Sequence, residues 1–468
     1  MGGMASQGLA NVVDVGLCTT PAMFKSCISP GHMYDAAVMI TASHLPMNRN
    51  GLKFFTKEGG LDKKGIGEIV AMAADVCLAG ASVHEPAPSR LTNVEFLPVY
   101  QEQLAKMIRD GVGFKGDAYW TPLAGFKLVI NAGNGMGGFI QDLLQGLGAD
   151  TTGSLYLEPD GTFPNHLANP ELPEAMEPTR AAVLAQEADL GIVLDTDVDR
   201  AGVVDHDGTV INRNRLIAIM ANIVLRDHPG TYIVTDSTTS NGLNRFILQS
   251  GGQHLRYKKG YKNVIDKAQD LNAAGVDCQL AIETSGHGAL KENHMLDDGA
   301  YMAMKARTFT LYVGILVELA RQGRGKNLSD LMEGLQEPLD EVEFRLRVPA
   351  GFETATVYQQ ALDAFTAAAA KVPAWEVEVP NFEGLRVNVD EGGGRRGWAM
   401  ARMSLHDPIV IFNVESEVES GVAAIAKQLL SEVLAGFEDR LDLSPLHKRV
   451  AVVAALEMMP AKAAAAAA

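Results

Sequence analysis

Two short loops carry residues that could do chemistry together. Thr41-Ala42-Ser43-His44-Leu45-Pro46 places a hydroxyl nucleophile, Ser43, just after the apolar run Ala36–Ile40. Far downstream, Asp195-Thr196-Asp197-Val198-Asp199-Arg200 sets three carboxylates on alternating positions, again just after an apolar run, Leu190–Leu194. Alternation in extended backbone turns all three side chains to one side. Carboxylates so close repel and raise one another's pKa unless a cation lies among them. A nucleophile loop plus an oxygen-rich cation site is what phosphoryl transfer through a phosphoserine needs, with Mg²⁺ neutralising charge on the transferring group.

Each motif also has a plainer explanation. An EF-hand fails on count, because its sixth position would be Arg200 rather than Gly and its twelfth His206 rather than Glu. A solvated acidic turn remains open. Ser43 beside His44 is a common turn pair, and Lys53 in Gly51-Leu52-Lys53-Phe54 is either a surface charge or a phosphate and proton-transfer partner. Glu283-Thr284-Ser285-Gly286-His287 could grip vicinal sugar hydroxyls or simply turn the chain. Gly260-Tyr261-Lys262 and Arg402-Met403-Ser404 each offer a cation suited to a phosphate or to solvent. Gly133 to Gly138 matches the dinucleotide pattern G-x-G-x-x-G, with Glu158 about 20 residues further on. Its alternative is a tight turn with close helix–sheet packing and no nucleotide.

The elements that must position these loops follow from composition and periodicity. A chain of 468 residues predicts about three or four domains. Hydrophobic content of 47% and charged content of 21% are those of a globular protein. The net charge of −17 argues against nucleic acid or an anionic membrane surface as partner. Cys18, Cys27, Cys77 and Cys278 form no C-x-x-C pair and read as buried thiols in a reducing compartment. No uncharged apolar run reaches the ~18 residues of a membrane helix. The N-terminus lacks a basic flank before an apolar core, so no secretory signal is expected. These features predict a cytoplasmic protein, or a stromal one if a transit segment was removed, acting as monomer or homodimer. Lys462 and the alanines after it read as a tail outside the fold.

Short β-type runs (Ala36–Ile40, Lys127–Asn131, Leu190–Leu194, Thr231–Asp236, Cys278–Glu283) alternate with helical patterns (Phe139–Leu147, Leu216–Arg226, Ala300–Arg321). Alternation of this kind predicts parallel sheets with crossover helices, and functional loops at the carboxyl ends of strands. Ser43, Asp195 and Glu283 fall in such loops. That suggests three similar α/β units facing one cleft. After residue 341 the pattern changes to alternating strands at Phe344–Val348, Trp375–Val379, Leu385–Val389, Trp398–Met403 and Ile409–Val414, then one long helix from Gly421 to Phe437. This predicts a smaller antiparallel α+β domain. The expected divisions are 1–115, 122–226, 230–336 and 341–445, with a C-terminal segment 446–468.

In this order the motifs resemble the α-D-phosphohexomutase family, from about residue 10 to about residue 440. The family's phosphoserine loop T-A-S-H-N-P appears as Thr41–Pro46, with Leu45 for Asn. Its metal loop D-x-D-x-D-R is Asp195–Arg200, and its sugar loop E-x-S-G-H is Glu283–His287, followed by Asp298-Gly299. The stretch F-P-x-H-x-x-N-P is Phe163–Pro170, and D-x-G-N-G-x-G is echoed by Asn131–Gly137, which accounts for the dinucleotide-like pattern without a nucleotide.

The resemblance implies four domains around a central cleft: three Rossmann-like mixed-sheet α/β domains and a smaller α+β domain. It implies Ser43 as the phosphorylated nucleophile with His44 beside it, Lys53 as acid/base, and Ser43, Asp195, Asp197 and Asp199 around Mg²⁺. It further implies that Arg200, Lys262, Glu283, Ser285, His287, Arg402, Ser404 and His406 hold a hexose phosphate, with glucose 1,6-bisphosphate as activator. Two departures stand out. The family's opening strand and glycine-rich segment with its arginine have no counterpart in Met1–Ala10, so the first domain is expected to lack its opening portion. The terminal phosphate loop R-x-S-x-T-E-P is Arg402-Met403-Ser404-Leu405-His406-Asp407-Pro408. A phosphohexomutase of the glucose or mannose type is expected, with a catalytically impaired sugar-phosphate-binding relative as the alternative.

Overall fold

The computed structural model describes residues 11–80, 91–304, 306–307, 312–313, 327–404 and 407–457. The chain forms two compact units. One comprises Met1–Val234, Ser250–Gln253 and Gly260–Glu333; the other comprises Thr235–Gln249, His254–Lys259 and Gly334–Ala468.

The first unit repeats one device three times: a strand, a polar loop and an antiparallel return. Ala37–Ile40 returns as Leu52–Thr56. Leu190–Leu194 returns as Ala201–Asp205, and Cys278–Ile282 as Gly288–Leu290. The expectation of parallel sheets is therefore corrected to mixed ones. A parallel return needs a crossover of about a dozen or more residues, and the loops around Ser43, Asp195 and Glu283 are too short for one. Parallel pairing appears where a helix intervenes: Leu128–Asn131 runs parallel to Leu190–Leu194, with helix Pro173–Gln186 between them in the chain. Every residue of Leu190–Leu194 and Ala201–Asp205 is buried, so these strands read as continuous apolar runs rather than alternating ones. Helix Arg213–Asp227 buries Leu216 through Ala221 and Ile223 through Leu225, so its middle is covered on all sides. Cys18, Cys27 and Cys278 are buried, but Cys77 is exposed on helix Lys63–Leu78, which buries none of its residues, so the expectation of four buried thiols is corrected there.

The second unit contains a five-stranded antiparallel sheet ordered Asp340–Arg347, Ile409–Ser416, Arg395–Met403, Leu385–Gly392 and Trp375–Val377. Phe344, Leu346, Phe412 and Val414 turn inward against Val357, Ala361 and Phe365 of helix Thr354–Ala369. Glu343, Arg345 and Asn413, the alternate residues, face the other way.

Two helix expectations are corrected. Among the described residues, the run Ala300–Arg321 is helical over Gly299–Met304. Ala306–Arg307 then pairs antiparallel with Tyr312–Val313, where Tyr and Val favour extended backbone over helix. The remainder of that run lies outside the described residues. The helix expected from Gly421 to Phe437 spans Val422–Gln428 and widens into a π-type turn over Leu429–Val433. Gly436 follows at φ 84°, a conformation that ends helices.

Candidate active site

The acidic loop is built first. Strand Leu190–Leu194 ends at Asp195, and the chain reverses through Val198 at φ 67°. The turn is closed by Arg200 N donating to Asp195 Oδ1 at 3.2 Å and Asp195 N to Arg200 O at 3.3 Å. The glycine-rich segment packs directly beneath it. A Cβ on Gly135 would lie 2.5 Å from Thr196 Cα, and Met136 N donates to Thr196 O at 2.8 Å. That close approach explains the dinucleotide-like glycine pattern in structural terms.

Asp195, Asp197 and Asp199 are 0–1% exposed, and each offers an oxygen within 4.8 Å of the others. Asp197 Oδ1 and Asp199 Oδ1 are buried without a hydrogen-bond partner among the described residues. Burial and the neighbouring Asp199 and Asp197 push the Asp195 carboxyl well above its usual range. Burial opposes ionisation of Asp199 too, but Lys53, His287 and Arg200 outweigh it and hold that carboxyl low. A concentrated negative site with two unsatisfied buried oxygens fits a divalent cation, and oxygen-only ligands suit a hard one.

Ser43 is delivered to this site by its own turn. It sits at φ 52°, its N–H donating to Thr41 Oγ1 at 2.9 Å. The loop is pinched shut where Thr41 N donates to Gly51 O at 3.0 Å. A Cβ on Gly51 would lie 2.6 Å from Thr41 O. Ser43 Oγ donates to Asp195 Oδ2 at 3.2 Å and receives Arg200 Nη2 at 2.5 Å. Arg200 also reaches His44 Nδ1 and, through Nε, Asp195 Oδ2 at 3.1 Å. Burial, Arg200 and His287 push His44 down to about 4, so it is neutral at neutral pH and its Nδ1 accepts from Arg200.

Lys53 leaves the return strand Leu52–Thr56 and places Nζ 2.8 Å from Asp197 Oδ2 and 2.5 Å from Asp199 Oδ2. Burial alone would lower its pKa, but the two carboxylates outweigh that and raise it, so Lys53 is an ammonium compensating the acidic cluster.

The third loop meets the second through its backbone. Ala201 N donates to Gly286 O at 3.2 Å, and Arg200 and His287 form an antiparallel bridge. His287 Nδ1 lies 2.5 Å from Asp297 Oδ2 and 3.8 Å from Asp199 Oδ1. Burial would lower its pKa, yet Asp297 and Asp199 raise it to about 9. The Tyr261 ring stacks on His287 at 4.9 Å, and Lys53 Nζ stands 5.9 Å from the centre of that ring. Glu283 Oε1 accepts from Gly260 N at 2.6 Å, and Ser285 Oγ donates to Glu283 Oε2 at 3.3 Å. Lys262 pairs with Asp266 one turn along its own helix, Tyr261–Ala273, rather than with this cluster.

Gly299 closes the assembly: its N–H donates to Val198 O at 3.1 Å, and a Cβ there would lie 2.5 Å from Arg200 C. Gly299→Ala should therefore destabilise the fold by about 1–3 kcal/mol through overpacking against backbone. A urea titration reads this as a lower midpoint at unchanged slope, and an unshifted midpoint would contradict the contact.

Thus Ser43, His44, Lys53, Asp195, Asp197, Asp199, Arg200 and His287 meet in the first unit, with Glu283 and Ser285 on the adjoining loop. Arg402 and Ser404 belong to the second unit. There Arg402 Nε donates to Asn413 Oδ1 at 3.0 Å and its Nη2 to Glu343 Oε2 at 2.8 Å. Asp407 N donates to Ser404 Oγ at 3.2 Å. His406 lies outside the described residues.

Four members of the site escape sequence reasoning. Thr20 Oγ1 donates to Asp197 Oδ2 at 2.5 Å and its N–H to Asp197 O at 2.9 Å. Asp297 holds His287, Tyr261 stacks on it, and Asn169 Oδ1 lies 3.5 Å from Arg200 Nη1. Asn169 stands in the quoted F-P-x-H-x-x-N-P stretch and Asp297 just before Asp298-Gly299, so both had a positional signal. Thr20, at a helix start before Pro21, had none.

A serine, an acidic cluster that could hold a cation and a basic pair, brought together by three strand–loop–return devices, are groups suited to phosphoryl transfer. Comparison with known proteins identifies the class. Descriptions of phosphoglucomutase/phosphomannomutase alpha/beta/alpha domains I, II and III match residues 1–74, 105–208 and 212–338. The chain belongs to this family, the α-D-phosphohexomutases, which are intramolecular phosphotransferases. It is 29% identical over 427 residues to the phosphomannomutase/phosphoglucomutase of Pseudomonas aeruginosa, covering 90% of this chain and 81% of that one. It is 27% identical over 425 residues to a phosphoglucomutase of Neisseria gonorrhoeae, covering 90% and 82%. The crystal structure of a phosphoglucomutase/phosphomannomutase family protein from Burkholderia thailandensis superposes with a TM-score of 0.69 at 26% identity, covering 91% of this chain and 83% of that one.

Proposed function

We propose that the chain is a Mg²⁺-dependent phosphohexomutase that interconverts the 1-phosphate and 6-phosphate of glucose, mannose or both. The observation that carries this is the Ser43 hydroxyl, 3.2 Å from Asp195 Oδ2 in a cluster where two buried carboxylate oxygens accept no hydrogen bond from the described residues. Asp195, Asp197, Asp199 and the phosphorylated Ser43 would hold the Mg²⁺. When bound, the ion would neutralise charge on the transferring phosphoryl group.

The chain's own residues do the rest. Phospho-Ser43 gives its phosphoryl group to the free sugar hydroxyl: the Ser43 O–P bond breaks, a sugar O–P bond forms, and a 1,6-bisphosphate results. The other phosphoryl group then returns to Ser43. By this reading Lys53 and His44 exchange the hydroxyl protons, and Arg200, which donates to Ser43 Oγ, steadies it. In the first unit Glu283, Ser285 and His287 would take sugar hydroxyls and Lys262 a phosphate; in the second, Arg402, Ser404 and His406 would be phosphate ligands. Glucose 1,6-bisphosphate would act as activator by reloading Ser43. The working compartment is the cytoplasm.

Incubation with glucose 1-phosphate, Mg²⁺ and catalytic glucose 1,6-bisphosphate should yield glucose 6-phosphate. Binding of sugar phosphates with no product would favour the impaired, non-catalytic relative instead. The same assay on mannose phosphates sets the preference. Arg402→Ala should lower kcat/KM by more than about tenfold, the scale of one charged hydrogen bond to phosphate. An unimpaired variant would remove Arg402 from the machinery.

A further inference from the structure

Arg402 already holds an anion of its own chain. Glu343 lies directly opposite Asn413, and Arg345 and Arg402 both pair with Ile411 from its two sides. One face of the sheet thus sets Arg345 two residues along the strand from Glu343, and Arg402 on the next strand but one, around one carboxylate. Glu343 Oε2 accepts from Arg402 Nη2 at 2.8 Å and Oε1 from Arg345 Nη1 at 3.0 Å. Asn413 Nδ2 adds a third donor to Oε2 at 3.2 Å. One oxygen on each of two guanidiniums is the arrangement in which a phosphate would be bound. The Glu343 side chain is 33% exposed against 11% for Arg402, so the acid stands at the rim and the cation behind it.

We propose that Glu343 is a built-in competitor for the phosphate that Arg402 receives: it occupies the cation until a phosphate dianion displaces it. This rests on the reading of Arg402 as a phosphate ligand. Burial would raise the Glu343 pKa, but Arg402, the Asn413 amide, Lys259 and Arg345 hold it below its usual range. The competitor is therefore ionised throughout the neutral range. Two consequences follow from charge. Apparent phosphate affinity is reduced by the fraction of time Arg402 is occupied. A singly charged ligand gains little by replacing a carboxylate, whereas a phosphate dianion gains a second charge, so Glu343 also filters against monoanionic sugars.

Calorimetric titration of glucose 6-phosphate and of glucuronate into the full chain tests this, at a pH where the phosphate is a dianion. Ser43→Ala serves as background to prevent turnover. Glu343→Gln keeps the size and shape of the side chain, loses the charge and turns one of the two accepting oxygens into a donor. It should bind glucose 6-phosphate about fivefold or more tighter, the scale of one part-exposed ion pair. It should also gain proportionally more affinity for glucuronate. Glu343→Asp, which keeps the charge but withdraws it by one methylene, should fall between wild type and Glu343→Gln. Affinity equal to or weaker than wild type in Glu343→Gln would make Glu343 a clamp that orients Arg402 and would overturn the proposal. Arg402→Ala separates the two readings. If it weakens binding while Glu343→Gln fails to tighten it, the competitor alone fails. If it changes nothing, the phosphate role of Arg402 fails and the competitor falls with it.

Discussion

Ser43→Ala should reduce mutase turnover by more than about a thousandfold, because the variant has no atom to carry the phosphoryl group between the two sugar hydroxyls. Its fold should persist. Arg200 keeps Asp195 and His44 when the hydroxyl is gone, and the turn that presents residue 43 is made by backbone and by Thr41. Sugar-phosphate binding should change far less than turnover, since Ser43 is assigned to transfer and not to grip. Intact-mass analysis after exposure to glucose 1,6-bisphosphate should show a phosphate increment in wild type and none in the variant. Turnover within tenfold of wild type would remove Ser43 from the chemistry.

Asp197→Asn should lower kcat by at least about a hundredfold and raise the Mg²⁺ concentration needed for half-maximal activity. Electrostatic stabilisation of the transferring group is the largest lever such a site has, and one formal charge in three is removed. Stability without metal should not fall. Lys53 keeps Asp199 at 2.5 Å, so no buried ammonium is orphaned, and the remaining carboxylates repel less. Kinetics across a Mg²⁺ titration and a thermal melt in chelator read the two effects separately. A wild-type Mg²⁺ dependence would contradict the cation site, and a large loss of melting temperature in chelator would make Asp197 a structural acid instead.

The chemical loops were legible because each polar cluster follows an apolar run with a sharp edge: Ile40 before Ser43, Leu194 before Asp195, Ile282 before Glu283. Strand positions therefore came close to their observed ends. Strand direction did not, because apolar runs look alike in parallel and antiparallel sheets, and only loop length separates them. Partners set by long-range register were hidden for a related reason. Nothing in local spacing brings Thr20 to Asp197 or Glu343 to Arg402; both depend on how distant segments come together. Gly299 shows the reverse case, a residue quoted for its place after the sugar loop whose physical role, a close backbone approach to Arg200, appears only in three dimensions.

The most direct test of the central claim is transfer of labelled phosphate from glucose 1,6-bisphosphate to the protein, followed by peptide mapping and a chase with unlabelled glucose 1-phosphate. A phosphohexomutase acting through phospho-Ser43 should carry the label on the peptide containing Ser43 alone and lose it to glucose bisphosphate and glucose 6-phosphate within a few turnovers. Label on another residue, no label at all, or a Ser43 phosphate that the chase cannot remove would contradict it.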